Sequence, residues 1–235
     1  MLRQISQSGR FRMKIYAAQV ENMVVGQEEL VSMLDSNRRD KIHRMKNGTE
    51  RNRSIYAGLL LRYAFLKAGY TQDDWSRIVV KSGQYGKPEL AGYNEFQYSL
   101  SHSGDWVICA ADSSPVGADI QQMKPYRMQM AKRFYHEKEY EYLCNITEEE
   151  LRKLNFYQMW AAKESYAKLT GRGIGAGISK YLVQENYEQI TDCEEKVTAF
   201  MKIYHSIPDY VVSISSYKGN FPQHISILGR DSLIY

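Results

Sequence analysis

Two acids in this sequence sit where an ionised carboxylate is costly unless something answers its charge. Asp119 lies in Val116-Gly117-Ala118-Asp119-Ile120-Gln121, near the end of an aliphatic run. A buried carboxylate there calls for a cationic partner. Side chains two apart on a strand share a face, so Gln121 points the same way as Asp119. Glu164 lies in Trp160-Ala161-Ala162-Lys163-Glu164-Ser165-Tyr166-Ala167-Lys168. Helical spacing stacks Trp160, Glu164 and Lys168 on one stripe, a plausible cleft wall carrying a carboxylate and an ammonium. Each acid also has a plain structural reading: a buried aspartate satisfied by backbone or arginine, and a surface Glu–Lys pair worth about 0.3–0.5 kcal/mol. Two further segments suit phosphate. Tyr85-Gly86-Lys87-Pro88 combines an aromatic, a cation and exposed backbone donors in a rigid turn, and Ser99-Leu100-Ser101-His102-Ser103 sets a histidine among hydroxyls. Taken alone, His102 equally fits a hairpin histidine. P-loop, GxGxxG and GxSxG patterns are absent. The single Ser-His-Ser disfavours hydrolases that use paired histidines.

The charge distribution narrows the ligand. Thirty-one Lys and Arg stand against 27 Asp and Glu, a net +4 that is too small to imply a nucleic-acid binder. Residues 35–67 hold nine of the basic residues and three acids, so this segment is +6 and the remainder −2. A local basic patch on a nearly neutral protein suits a discrete polyanion better than a long phosphate backbone, although a solvated helix face has the same composition. Three widely spaced cysteines, without CxxC or Cys/His clustering, argue against a disulfide scaffold or a zinc module. Residues 1–13 are polar and lack the apolar stretch of a secretory signal, and no run approaches the roughly 20 apolar residues of a membrane span. A cytoplasmic protein that does not contact membrane is expected.

These residues need elements to position them. Residues 13–19 read as a strand with Met13, Ile15 and Ala17 on one face. Residues 27–34 and 35–46 read as helices, Asn47-Gly48 as a turn, and 49–68 as a longer helix with an apolar stripe of Ile55, Leu59, Tyr63 and Leu66, ended by Gly69. A short strand at 77–81 leads into a Gly/Pro-rich loop over 82–94. Strands follow at 96–101, 106–112 and 116–121, the first two joined by a hairpin at Ser103-Gly104-Asp105. Helices are expected at 126–142 and 148–170, the second stopped by Gly171 and Gly173, then strands at 178–184, 196–203, 210–216 and 224–228. Helix and strand runs thus occur twice, with a seam near 112–115. The expected fold is α+β, built from two similar halves at 13–113 and 114–235 behind an extension at 1–12.

In order and spacing, Tyr-Gly-Lys-Pro, Ser-His-Ser, Val-Gly-Ala-Asp and Trp-x-x-Lys-Glu-Ser-x-x-Lys together resemble the Sfp-type 4′-phosphopantetheinyl transferases over nearly the whole chain from Met13. The resemblance implies two α+β halves related by a pseudo-twofold axis, with coenzyme A and Mg²⁺ (Mn²⁺ as a substitute) in the cleft between them. It implies Asp119 and Glu164 as metal ligands, Glu164 also serving as or positioning a base, and Lys168 near the reacting phosphate. Ser101 and His102 match the pair on the coenzyme A phosphates, and Tyr85, Gly86 and Lys87 the adenine-side loop. Arg38, Lys41, Arg53 and Ser54 align with residues holding the nucleotide, chiefly its 3′-phosphate. Where the family usually carries a second acid, this chain has Gln121, which leaves the metal shell one charge short. The implied reaction moves phosphopantetheine from coenzyme A to a serine of an apo acyl or peptidyl carrier protein and releases 3′,5′-ADP, by a monomer that binds no nucleic acid. The alternative is a non-catalytic coenzyme A or carrier-protein binder of the same fold.

Overall fold

A strand buried on both faces must be covered twice, and β1 (Lys14–Gln19) shows how. The computed structural model describes residues 11–21, 27–46, 48–173, 175 and 177–234. Residues 1–10 of the expected extension and Asn47 of the expected turn lie outside them. β1 runs antiparallel to β5 (Trp106–Asp112), which pairs in turn with β4 (Gln97–Ser103). Ile15 and Ala17, with Ile108 and Ala110, face a second sheet through Val116, Ala118, Ile120, Val212 and Ile214. Tyr16 and Ala18, with Val107, Cys109 and Ala111, face helices on the other side. The strand period of two splits each strand between two cores.

The helical cover of the first sheet is α3 (Gly48–Lys67), flanked by α1 (Gln27–Ser32), α2 (Ser36–His43) and α4 (Gln72–Ser76). Asp35 caps α2 by accepting from Arg38 N at 2.9 Å. The stripe expected on α3 is wider than four residues, because Tyr56, Leu60, Leu61 and Phe65 are buried as well as Ile55 and Leu59. A helix gripped by a sheet and by helices is apolar nearly all round.

The second sheet is antiparallel, in the order β6 (Val116–Gln122), β10 (Tyr210–Ser216), β9 (Val197–Tyr204), β8 (Gln189–Asp192), β7 (Tyr181–Val183). α7 (Glu149–Thr170) packs across β6 and β10. It ends where Gly171 takes the left-handed conformation, φ 78°.

The two sheets meet at β4 and β6, each an edge strand of its own sheet. Three serines of β4 join them: the hydroxyls of Ser99, Ser101 and Ser103 accept from the N–H groups of Ala118, Ile120 and Gln122 at 2.9, 3.4 and 3.0 Å. Alternate serines on one strand face thus supply acceptors to an edge that would otherwise be buried unsatisfied.

Several elements differ from the sequence reading. The single helix expected at 126–142 is two, α5 (Met128–Phe134) and α6 (Glu137–Asn145), separated at Tyr135 and His136. The His136 ring accepts from Lys138 N, and the Glu139 carboxylate accepts from His136 N at 2.9 Å, a capping box that starts a new helix. The loop expected over 82–94 contains β3 (Pro88–Leu90), paired with β2 (Val80–Ser82), so the strand expected at 77–81 begins three residues later. β8 has no counterpart among the strands expected from the sequence. The segment expected as a strand at 178–184 opens as a 3₁₀ turn, Ile178–Lys180, before β7. The strand expected at 224–228 shrinks to β11 (Ser226–Ile227), which pairs in parallel with β1, and α8 (Arg230–Ile234) then docks on α3. Residues 226–234, placed with the second half by sequence order, therefore lie on the first sheet. Leu233, fully buried there, is the physical reason.

Candidate active site

Gly117 explains how the two acids meet. A Cβ on it would lie 1.9 Å from Ser165 O and 2.5 Å from Leu169 N, so only a glycine lets α7 rest its backbone directly on β6. Asp119, two residues on, faces the same helix and is 1 % exposed. Its expected cationic partner is Lys168, whose Nζ donates to Asp119 Oδ1 at 2.6 Å. Ser101 Oγ donates to the same oxygen at 2.7 Å, and Gln121 Nε2 to Oδ2 at 2.8 Å. Lys168 also donates to Ser101 at 2.8 Å and stands 4.0 Å from Glu164 Oε2. Burial, and next the nearby Asp119 charge, push the Glu164 carboxyl up to about 7, while Lys168 acts in the opposite direction.

Beside this cluster opens a cleft of about 320 Å³, lined by residues 85–88, 98–100, 167, 168, 171 and 173. Lys168 is thus shared between the acid cluster and the cleft. Tyr85 is exposed at the rim in a left-handed conformation, φ 61°. The Lys87 ammonium points inward instead of lying free for a ligand: it donates to Val116 O at 3.0 Å and Leu169 O at 3.4 Å, fastening the turn to the second sheet and α7. Burial pulls its pKa down to about 8, with Glu89 opposing.

His102 stands at the exposed end of β4. Partial burial of its ring lowers its pKa, Glu50 opposes this, and the cations Arg53, Lys168 and Lys41 lower it further. Arg53 and Lys41 of the basic segment and Lys168 of the acid cluster therefore act on a common histidine. Arg53 donates to Gly104 O at 2.8 Å in the β4–β5 hairpin and pairs with Glu50. Lys41 is exposed. Arg38 and Ser54 do not line the cleft: the Arg38 stem crosses Gly58, its head donates to Ser54 O at 3.4 Å, and the Ser54 hydroxyl is buried without a hydrogen-bond partner among the described residues.

Not every polar residue of the helical motif faces the cleft. Lys163 is fully buried on the far side of α7, pairs with Glu139 at 2.7 Å and donates to the carbonyls of Ile178 and Tyr181. Ser165 is buried among hydroxyls, 3.0 Å from Ser213 Oγ and 2.7 Å from Ser215 Oγ. Sequence reasoning missed Glu139 and Arg172, which have partners remote in sequence. It also missed the ladder role of Ser99 and Ser103, whose signal was visible as serines at every second position.

The donors offered to a cation are oxygens: the carboxylates of Asp119 and Glu164, with Gln121 next to them. A buried and a half-buried carboxylate side by side, the second with its pKa raised by burial and next by the first, suit a hard divalent ion that also takes oxygens from substrate and water. Among the described residues no group of three His, Cys, Asp or Glu surrounds such a position. Gln121 here offers its amide nitrogen to Asp119, and turning the amide over would offer its oxygen to the ion.

Residues 26–114 match the family model described as 4′-phosphopantetheinyl transferase, N-terminal, and residues 115–215 match the 4′-phosphopantetheinyl transferase superfamily. The chain belongs to that superfamily. It is 29 % identical over 94 % of its length to the whole of the 4′-phosphopantetheinyl transferase Sfp of Bacillus subtilis (strain 168). It is 27 % identical, over 94 % of its length and 97 % of the relative, to the 4′-phosphopantetheinyl transferase psf-1 of Bacillus pumilus. The L-aminoadipate-semialdehyde dehydrogenase-phosphopantetheinyl transferase of Mus musculus is 32 % identical over 43 % of this chain and 37 % of its own. No helix among the described residues is long and apolar enough to cross a membrane.

Proposed function

We propose that this enzyme transfers the 4′-phosphopantetheine group of coenzyme A to a serine hydroxyl of an apo acyl or peptidyl carrier protein, in the cytoplasm, as a monomer dependent on Mg²⁺. The observation that carries this reading is the convergence of Asp119, Glu164 and Ser101 on Lys168, which also lines a cleft of about 320 Å³. The serine oxygen forms a bond to the β-phosphorus. The pyrophosphate bond breaks, and 3′,5′-ADP leaves with the bridging oxygen and its electron pair. Glu164, with its pKa near the operating pH, is suited to take the serine proton directly or through one water. Lys168 and His102 are placed to neutralise phosphate oxygens, and phosphoryl transfer is accelerated mainly by such positioning and charge. Mg²⁺ held by Asp119 and Glu164 would add positive charge against the pyrophosphate. Arg53 and Lys41 suit the 3′-phosphate; Arg38 would serve it by leaving the Ser54 carbonyl, and Ser54 by turning its buried hydroxyl towards it.

The test is the intact mass of an apo carrier protein after incubation with coenzyme A and Mg²⁺. A phosphopantetheine increment is expected. Coenzyme A binding without any increment on acyl and peptidyl carriers alike would favour a non-catalytic binder.

A further inference from the structure

The Tyr85 ring forms the outer wall of the cleft but is itself 61 % exposed, in a turn whose backbone is left-handed at that residue. What holds it comes from the other half of the molecule. The Arg172 guanidinium lies 5.8 Å from the ring centroid, within cation–π range. Arg172 sits between Gly171 and Gly173, which both line the cleft and both have positive φ, 78° and 67°. Its head is held from behind, paired with Glu195 and 4.0 Å from Asp192. Asp192 is itself fixed, 2 % exposed and accepting from Glu194 N and Glu195 N at 3.0 and 3.1 Å. The β8–β9 turn thus orients an arginine, and the arginine faces a cleft-wall aromatic. Arg172 does not itself line the cleft.

We infer that Arg172 is a positioning residue for the coenzyme A cleft, holding Tyr85 as its outer wall from an anchor on the β8–β9 turn. The inference builds on the proposed function, since it takes the cleft as the seat of coenzyme A. A freed Tyr85 ring must be ordered again each time ligand binds, which weakens binding without touching the acid cluster where the chemistry occurs. The effect therefore belongs in affinity and KM and not in kcat.

Binding of coenzyme A to the wild type, Arg172→Gln, Tyr85→Ala and the double variant, measured by calorimetry, tests this, together with KM and kcat for transfer. Arg172→Gln should weaken binding and raise KM by roughly two- to fivefold, with kcat at saturating coenzyme A within about twofold. In the Tyr85→Ala background the same substitution should add nothing, because the ring it acts through is gone. Arg172→Lys keeps the charge on Glu195 and should restore part of the affinity. Unchanged binding in Arg172→Gln overturns the inference, as does an equal loss with and without the Tyr85 ring, which would mean direct contact with ligand. A loss of unfolding stability with KM unchanged overturns it too. Wild type that fails to bind coenzyme A would refute the proposed function instead, and is read from the first titration alone.

Discussion

Helix α7 carries two lysine–carboxylate pairs five residues apart, and they have opposite roles. Lys163 and Glu139 are 0 % and 2 % exposed at their side chains, and every polar contact of the ammonium is structural. Burial lowers the Lys163 pKa even with Glu139 beside it. Lys168 is 31 % exposed, pairs with the buried Asp119 and faces the cleft. The chemistry of the two pairs is the same. What separates them is access: a pair sealed on all sides can only hold the fold, whereas one open on a single side can exchange its partner for a substrate phosphate or a metal ion.

Breaking each pair in turn should separate the two roles. The largest effect is expected for Lys163→Ala, which strands the Glu139 charge in the core and should cost about 3–5 kcal/mol of unfolding free energy in urea titration. The paired replacement Lys163→Met with Glu139→Gln should recover much of that. Asp119→Ala should lower kcat about a hundredfold, about 2.7 kcal/mol in the barrier, while destabilising the fold far less, since Lys168 can then turn to solvent. Equal loss of stability in Lys163→Ala and Asp119→Ala would erase the distinction.

Lys87 sharpens the comparison, being a half-buried lysine bonded to two carbonyls with no carboxylate bonded to it among the described residues. Its folded pKa of about 8 lies below the ordinary 10.5. Between those values the unfolded chain binds more protons, so this residue's contribution makes stability rise with pH there; below about 8 its cost is present in full. The stability difference, wild type minus Lys87→Gln, should therefore shift in favour of the wild type as pH goes from 8 towards 10. A difference that is flat with pH would place the ammonium in solvent. The smallest effect is expected for Gln121→Ala. Gln121 contributes one hydrogen bond from an uncharged amide to Asp119, so the activity loss should be at least tenfold smaller than for Asp119→Ala. Gln121→Glu should lower the Mg²⁺ concentration needed for half-maximal transfer, because a third carboxylate strengthens the field at the ion. Gln121→Ala as inactive as Asp119→Ala would make the amide indispensable.

The reach of sequence reasoning follows the distance over which each force acts. Alternation placed β1, and short apolar runs bounded by turn residues placed β5, β6 and β10, to within a residue or two, and Gly171 stopped α7 where a left-handed cap was needed. The Asp119 carboxylate between aliphatic residues already required a cation, but nothing local could say that Lys168, 49 residues on, would supply it. Helical geometry likewise set Lys163 and Lys168 about 140° apart around α7. With apolar residues on both sides of them, it could not tell which lysine would meet the core and which the cleft.

Only the packing of α7 onto Gly117 decided that, by choosing which face of the helix lies on β6. The same holds for the Lys87 ammonium, whose carbonyl partners belong to the other sheet and helix, and for Glu139, which by starting α6 with His136 also delivers the partner of Lys163. Residue types and short-range periodicity determine the elements and the chemistry on offer. Which charges become neighbours is settled by burial, because a charge leaves water only where the assembled fold brings it an answering one.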